Sequence, residues 1–297
     1  MDDKNQNNPK LSIFYMTMGG ALIAMTTLLA KALGTDSLGD PLHPLQISNA
    51  RFLAAFIPIL IITIIRKTKI ESPRWHLHIT RSISGWSAVS LLFAAVAIIP
   101  VSDATAITFL NPIFGMVFAI PILREKVGSK RWLAAIIGLV GSMILIRPTS
   151  ASFQPAALLA LISASIMGLE LIIIKYLAKY ESTLQILVIN NAMGLFISTV
   201  AVLFVWEPPS LHQWSAMAAL GILMAGGQVC NIKALRGADA SFILPFSYST
   251  LLFVTLYDFL IYSFKPDMTS YIGASVIMFS VAIMTWHQIK SSQKNPH

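Results

Sequence analysis

The chain has 297 residues and a formal net charge of +8. It is 56% hydrophobic and only 11% charged, against about a quarter charged in an average soluble domain. That composition excludes an ordinary water-soluble fold, and the basic excess does not point to nucleic acid, because the lysines and arginines flank apolar runs instead of forming a patch interleaved with exposed aromatics.

From the amino terminus, the polar stretch Met1 to Lys10 has no convincing small-residue cleavage site after it and reads as a cytoplasmic tail. Apolar runs follow at Leu11 to Leu33, Leu45 to Ile65, Ile79 to Ile99, Ala104 to Leu123 and Trp132 to Ile146. After Arg147 and Pro148 they resume at Phe153 to Leu177, Leu184 to Val205, Trp214 to Leu235, Ser241 to Phe264 and Met268 to Trp286. A bilayer core needs about 20 apolar residues per helix, so ten transmembrane helices are predicted, the fifth reaching full span only if Lys130 and Arg131 snorkel. A β-barrel is excluded because its strands would alternate apolar and polar residues. His76 and His78 form an HxH pair in a basic loop without a nearby third ligand, so no metal site is expected. Cys230 is the only cysteine, which excludes an intrachain disulfide or a CxxC pair.

Seventeen of the 21 lysines and arginines fall in every second gap, from Lys4 and Lys10 through Arg66–Arg81, Arg124–Arg131, Lys175–Lys179 and Lys233–Arg236 to Lys290 and Lys294. Only Arg147 and Lys265 fall in the alternate gaps, and Lys31 and Arg51 lie within segments. Such a bias over short loops predicts both termini in the cytoplasm. Five segments per half then require any repeat of the first half to be inverted. Ser102-Asp103-Ala104-Thr105 opens the fourth segment and Ala238-Asp239-Ala240-Ser241 the ninth, each with an internal proline, Pro112 or Pro245. The predicted units are residues 11–148 and 153–288, with a second cytoplasmic tail at 289–297.

Several of these residues keep an order and spacing that resemble the EamA branch of the drug/metabolite transporter superfamily. They are Arg51, the run from Arg81 through Ala94, Pro100, Ala104, Leu110 and Pro112 to Glu125, then Arg131-Trp132 and Gly138 with Gly141. The second half adds Ala234-Leu235, Asp239-Ala240, Pro245, Tyr248, Pro266 and Gly273. Within the branch, His78 to Arg81, Val101 to Pro112 and Lys233 to Tyr248 are similar to the S-adenosylmethionine uptake carriers of intracellular bacteria. Ser247, Thr250 and Phe264 depart from that pattern, standing where charged residues are expected. The resemblance implies an all-α integral membrane protein of the bacterial cytoplasmic (inner) membrane, made of two inverted five-helix repeats, that moves a small organic metabolite and needs no cofactor.

Ionisable groups inside a bilayer are costly and mark candidate sites. Lys31, near the outer end of the first helix, reads as snorkelling or paired. Arg51, with Ser48 on the same face, is suited either to a substrate carboxylate or to a structural ion pair. Glu170 lies too deep in the sixth helix to escape to water. Lys175 is about 140° around that helix, so Glu170 needs a partner from another helix, a proton or a cationic substrate. Asp258 shares a face with Thr255 and Tyr262, and Trp86, Phe246 and Tyr248 offer flat surfaces against which a ring could stack. Gly19 and Gly20, Gly138 and Gly141, and Gly226 and Gly227 suit close helix approach. The substrate-binding candidates are therefore Glu170, Arg51, Tyr248, Trp86 and Asp258.

These features predict a secondary carrier working by alternating access. No GxxxxGK[ST] sequence is present to cradle ATP phosphates. Coupling to protons and exchange against an internal metabolite are both compatible, as are uptake and export. An intramembrane lipid-modifying enzyme needs clustered carboxylates or a Ser/His or His/Glu pair on one membrane face, whereas the carboxylates here are dispersed.

Overall fold

The computed structural model describes residues 8–68, 70–96, 98–149, 155, 157–262 and 267–294. Their regular structure is entirely helical, as a chain surrounded by hydrocarbon requires, because a helix satisfies its backbone polar groups internally. The helices are α1 (Pro9–Leu33), α2 (Pro44–Ile65), α3 (Trp75–Val96), α4 (Val101–Thr108), α5 (Asn111–Leu123) and α6 (Ser129–Ile146). They continue as α7 (Ala157–Ala178), α8 (Thr183–Val202), α9 (Leu211–Gly237), α10 (Ala240–Ile243), α11 (Ser249–Tyr262) and α12 (Met268–Lys294). The 3-10 turn Leu244–Tyr248 joins α10 to α11.

α4 with α5 forms the fourth span, and α10, the 3-10 turn and α11 form the ninth, which makes ten spans with the two repeats inverted. Among the described residues, nine of them are long and apolar enough to cross a membrane by length and composition alone. The tenth, α3, has 22 residues, long enough to span, and carries His76, His78, Arg81 and four serines. It is the polar wall of the bundle. Residues 1–7 of the predicted amino-terminal tail and Phe264, Lys265 and Pro266 lie outside the described residues. At the other end α12 continues helically to Lys294, past the predicted start of the second tail.

Both broken spans turn on a proline. Pro112 has no N–H to offer the Thr108 carbonyl, which accepts from Asn111 Nδ2 at 2.8 Å instead. The neighbouring Phe109 carbonyl accepts from the Tyr248 hydroxyl at 3.1 Å. The break in one half is thus closed by a side chain from the break in the other.

Most of the packing is symmetric, the main exception being that α2 packs on α9 far more extensively than α8 packs on α3. α1 packs on α9 and α11, α7 packs on α3 and α5, and the pairs α2/α8 and α6/α12 pack on each other. Exchanging α1 with α7, α2 with α8, α3 with α9, α5 with α11 and α6 with α12 maps that set onto itself. Close approach at α6/α12 depends on missing side chains, since a Cβ on Gly141 would lie 2.9 Å from Ile277 N and 3.0 Å from Gly273 O.

The same symmetry holds in atomic detail at both membrane faces. Gln46 of α2 donates through Nε2 to Glu207 O at 2.6 Å and accepts from Glu207 N at 3.2 Å. Gln185 of α8 does the same with Glu71, donating to its carbonyl at 3.2 Å and accepting from its amide at 3.1 Å. The Gln185 clamp sits at the face where α1 begins and α12 ends, here the terminal face, and the Gln46 clamp at the far face. The core is placed unevenly between them. Ile172, Leu177, Ile186, Leu187, Ile232, Leu235 and Phe246 gather the largest buried cluster in the terminal-face half.

Candidate functional site

The far-face half holds two smaller apolar clusters, around Leu33 and Leu220 and around Ala95 and Ala160, and between its helices a large cavity. Its volume is about 870 Å³, and it is walled by α1, α2, α3, α8 and α9. Its lining runs from Gly34, Pro44 and Ala201 near the far face to Arg51, Trp86 and Gly194 near mid-membrane. Ile23 of α1 contributes to it and also to a second cavity of about 190 Å³ beside the two helix breaks, which Asn111, Asn231, Ser247 and Thr250 make polar.

Below the large cavity the terminal face is closed by contacts that α3 makes with α8 and with the α7–α8 connection. The Ser82 hydroxyl meets Met193 Sδ at 3.5 Å. One turn further on, the buried pair His78 and Glu181 is joined at 2.8 Å. Glu181 also accepts from Arg74 N at 2.9 Å and from Gln185 Nε2 at 3.0 Å. Arg236 of α9 donates to Glu181 O at 2.7 Å and Ala178 O at 2.9 Å. His78, read in sequence as part of a loop, therefore lies inside α3 and is 1% exposed.

A second seal surrounds Glu125. Its carboxylate accepts from Ala240 N at 2.8 Å, Ser241 N at 2.9 Å and Ser241 Oγ at 2.7 Å, capping α10, and lies 3.6 Å from Lys175 Nζ. Lys175 donates on to Leu235 O at 3.0 Å and to Ala238 O. Arg131 joins Ser241 Oγ at 2.7 Å and Asp239 at 3.0 Å.

Of the five candidates from sequence, Arg51 and Trp86 line the large cavity. Glu170 sits between α7 and α3, with Oε1 3.5 Å from Arg81 Nε. Oε2 would be 3.4 Å from a Cβ on Gly85, so the bare surface of α3 admits the carboxylate. Glu170 thus takes its partner from another helix. Asp258 pairs with Lys31 at 3.3 Å and is not among the residues lining the cavity. Tyr248 is fully buried, its ring against Gly138 and Phe109 and its hydroxyl on the Phe109 carbonyl. Phe246 is 1% exposed and packs edge-on against Phe242. The geometry makes both aromatics braces of the helix break.

Arg81 corrects the loop tally. It had been placed with the terminal-face loop charges, yet it is seven residues into α3 and 5% exposed. Lys175, Lys233 and Arg236 likewise lie inside α7 and α9. Helices outrun their apolar segments, because the last turn beyond the hydrocarbon tolerates charge. Glu181 and Gln185 also escaped sequence reasoning, although a signal was present. Leu45-Gln46-Ile47 recurs as Leu184-Gln185-Ile186, and Glu71-Ser72-Pro73 as Glu207-Pro208-Pro209. Among the described residues no group of three His, Cys, Asp or Glu is arranged to hold a metal ion.

The sequence matches the EamA-like transporter family over residues 10–147 and 154–286. It is 26% identical to the S-adenosylmethionine uptake transporter of Rickettsia bellii (strain RML369-C), covering 97% of this chain and 99% of that protein. It is also 26% identical to the riboflavin transporter of Vibrio cholerae serotype O1, with 96% and 98% covered. A crystal structure superposes with a TM-score of 0.77 over 95% of this chain and 98% of the other, at 18% identity, and so shares the fold. Ten spans in two inverted halves, broken helices at the centre and a family match across both halves agree: the chain belongs to the EamA-like transporter family and is a multi-pass membrane transporter of that type.

Proposed function

We propose that this protein is a secondary carrier that takes up a small organic metabolite across the bacterial cytoplasmic membrane by alternating access, with S-adenosylmethionine as the leading substrate. The observation that carries this reading is the one-sided cavity, about 870 Å³ on the far-face side of Arg51 and Trp86, above a terminal face closed by the Ser82–Met193 and His78–Glu181 contacts. Its volume lies within the roughly 300–1,000 Å³ of small-molecule sites. The basic loops at Arg66 and Lys67, and at Arg124, Lys126 and Lys130, favour the terminal face as the cytoplasmic one, so the cavity faces outward.

The moving units are the halves 11–148 and 153–288. Phe52 and Trp86 supply aromatic wall and Arg51 supplies charge. Glu170 is the group whose ion pair changes during the cycle. Energy comes from the substrate gradient, a proton or a counter-metabolite.

Purified protein in liposomes, loaded with unlabelled S-adenosylmethionine, is expected to accumulate the labelled compound by counterflow. Failure with S-adenosylmethionine but saturable flux of riboflavin or an amino acid would reassign the substrate. Flux seen only outward from the cytoplasmic face would make the protein an exporter.

A further inference from the structure

The mid-membrane cluster does not balance its charge. Arg51 of α2 and Arg81 of α3 face one carboxylate, Glu170 of α7, so the three side chains carry a net charge of +1 within the bilayer. Arg51 Nε and Arg81 Nε and Nη1 are buried without a hydrogen-bond partner among the described residues. Arg81 Nε lies at ion-pair distance from Glu170, 3.5 Å from Oε1, and its side chain is only 6% exposed. Arg51 has its guanidinium 4.6 Å from the Phe52 ring, a contact that leaves its N–H groups in need of acceptors. Buried donors without acceptors are costly, and charged ones more so. Arg51 lines the cavity, so a ligand within it can reach the cluster.

We propose that this cluster is a carboxylate subsite, completed only by the transported molecule. The carboxylate docks on Arg51 at the base of the cavity, and Glu170 then pairs with Arg81 alone, which brings the three side chains and the bound group to neutrality. The planar fork of arginine suits a two-oxygen acceptor, and exclusion of water strengthens both contacts. The substrate class is therefore a small organic metabolite with one carboxylate, such as a compound carrying an amino-acid moiety, and a flat ring system without an acid group is disfavoured. The subsite deepens the carrier reading and rests on it for its physiological meaning.

The test uses the full chain in nanodiscs and in liposomes. Propionate and its neutral isostere propionamide are compared at matched ionic strength for their effect on the melting midpoint. Propionate is expected to raise the midpoint of the wild type and propionamide to leave it unchanged. The Arg51→Gln variant is expected to lose the effect and Lys126→Gln, in the terminal-face loop between α5 and α6, to keep it. In transport, S-adenosylmethionine is expected to compete about ten- to a hundredfold better than its decarboxylated derivative, as lost hydrogen bonds to a charged group predict. Equal response to propionate and propionamide in the wild type, or no response to either, overturns the subsite whatever the variants do. Flux that does not distinguish the carboxylated from the decarboxylated compound overturns it while leaving the carrier intact. A propionate response lost in Arg51→Gln, with no flux of any compound, upholds the subsite and counts against the carrier. Should Arg51→Gln fail to fold, Arg51→Lys serves, with the propionate response expected to weaken because a point charge replaces the fork.

Discussion

Glu170 and Arg81 face each other across α7 and α3 with little access to water, the carboxylate side chain 26% exposed and the guanidinium 6%. Removing one partner of such a pair strands the other charge. Glu170→Gln is expected to lower stability by about 2 kcal/mol, discounted from a fully buried pair because the carboxylate keeps some access, and to depress flux with the protein still inserted. Thermal melts in detergent and initial uptake rates measure the two effects, and an unchanged melt with unchanged uptake would remove Glu170 from the mechanism. Glu170 was legible in sequence because depth alone identified it: seven residues separate it from the end of its apolar run. Arg81 was not, because the apolar window began at Ile79 and assigned the arginine to the loop, whereas α3 begins at Trp75 and buries it. Tyr248 was legible as an important position, but its buried hydroxyl serves the Phe109 carbonyl.

At the scale of helices, the paired prolines marked both breaks correctly, since proline removes a donor wherever it sits and the exposed carbonyl needs a new partner. The partners themselves, Asn111 and Tyr248, emerge only from packing. The two glutamine clamps are the clearest trace of the repeat, and their sequence signature is short because each uses one side chain and the backbone of a glutamate. A backbone acceptor leaves little mark in sequence. Gln185→Ala removes the acceptor of the Glu71 amide on the terminal face, and Gln46→Ala does the same for Glu207 on the far face. Hydrogen exchange is expected to accelerate about fivefold at Glu71 in the first variant and at Glu207 in the second, matching a hydrogen bond worth about 1 kcal/mol. Each variant should leave the opposite face protected. Loss of protection at both faces from either substitution would mean that the clamps do not act separately.

Across the whole molecule, the largest apolar core lies in the terminal-face half and the large cavity opens in the far-face half, beside two smaller apolar clusters. Hydropathy made the spans legible, and loop charge predicted their orientation, but this division arises from which helix faces meet and has no periodic signature. Reporter fusions after Lys126 and Val205, in loops on opposite faces, are expected to report cytoplasm for the first and the outer side for the second. Two fusions reporting the same side would undo the orientation on which the outward-facing cavity depends. The transport cycle is tested most directly by counterflow of labelled S-adenosylmethionine into liposomes loaded with the unlabelled compound, in parallel with an amino-acid and riboflavin panel. Saturable, protein-dependent accumulation of a carboxylate-bearing compound, sharply reduced in Glu170→Gln, is the predicted result. No protein-dependent flux of any compound in the panel, from a preparation shown to be folded and inserted, would contradict it.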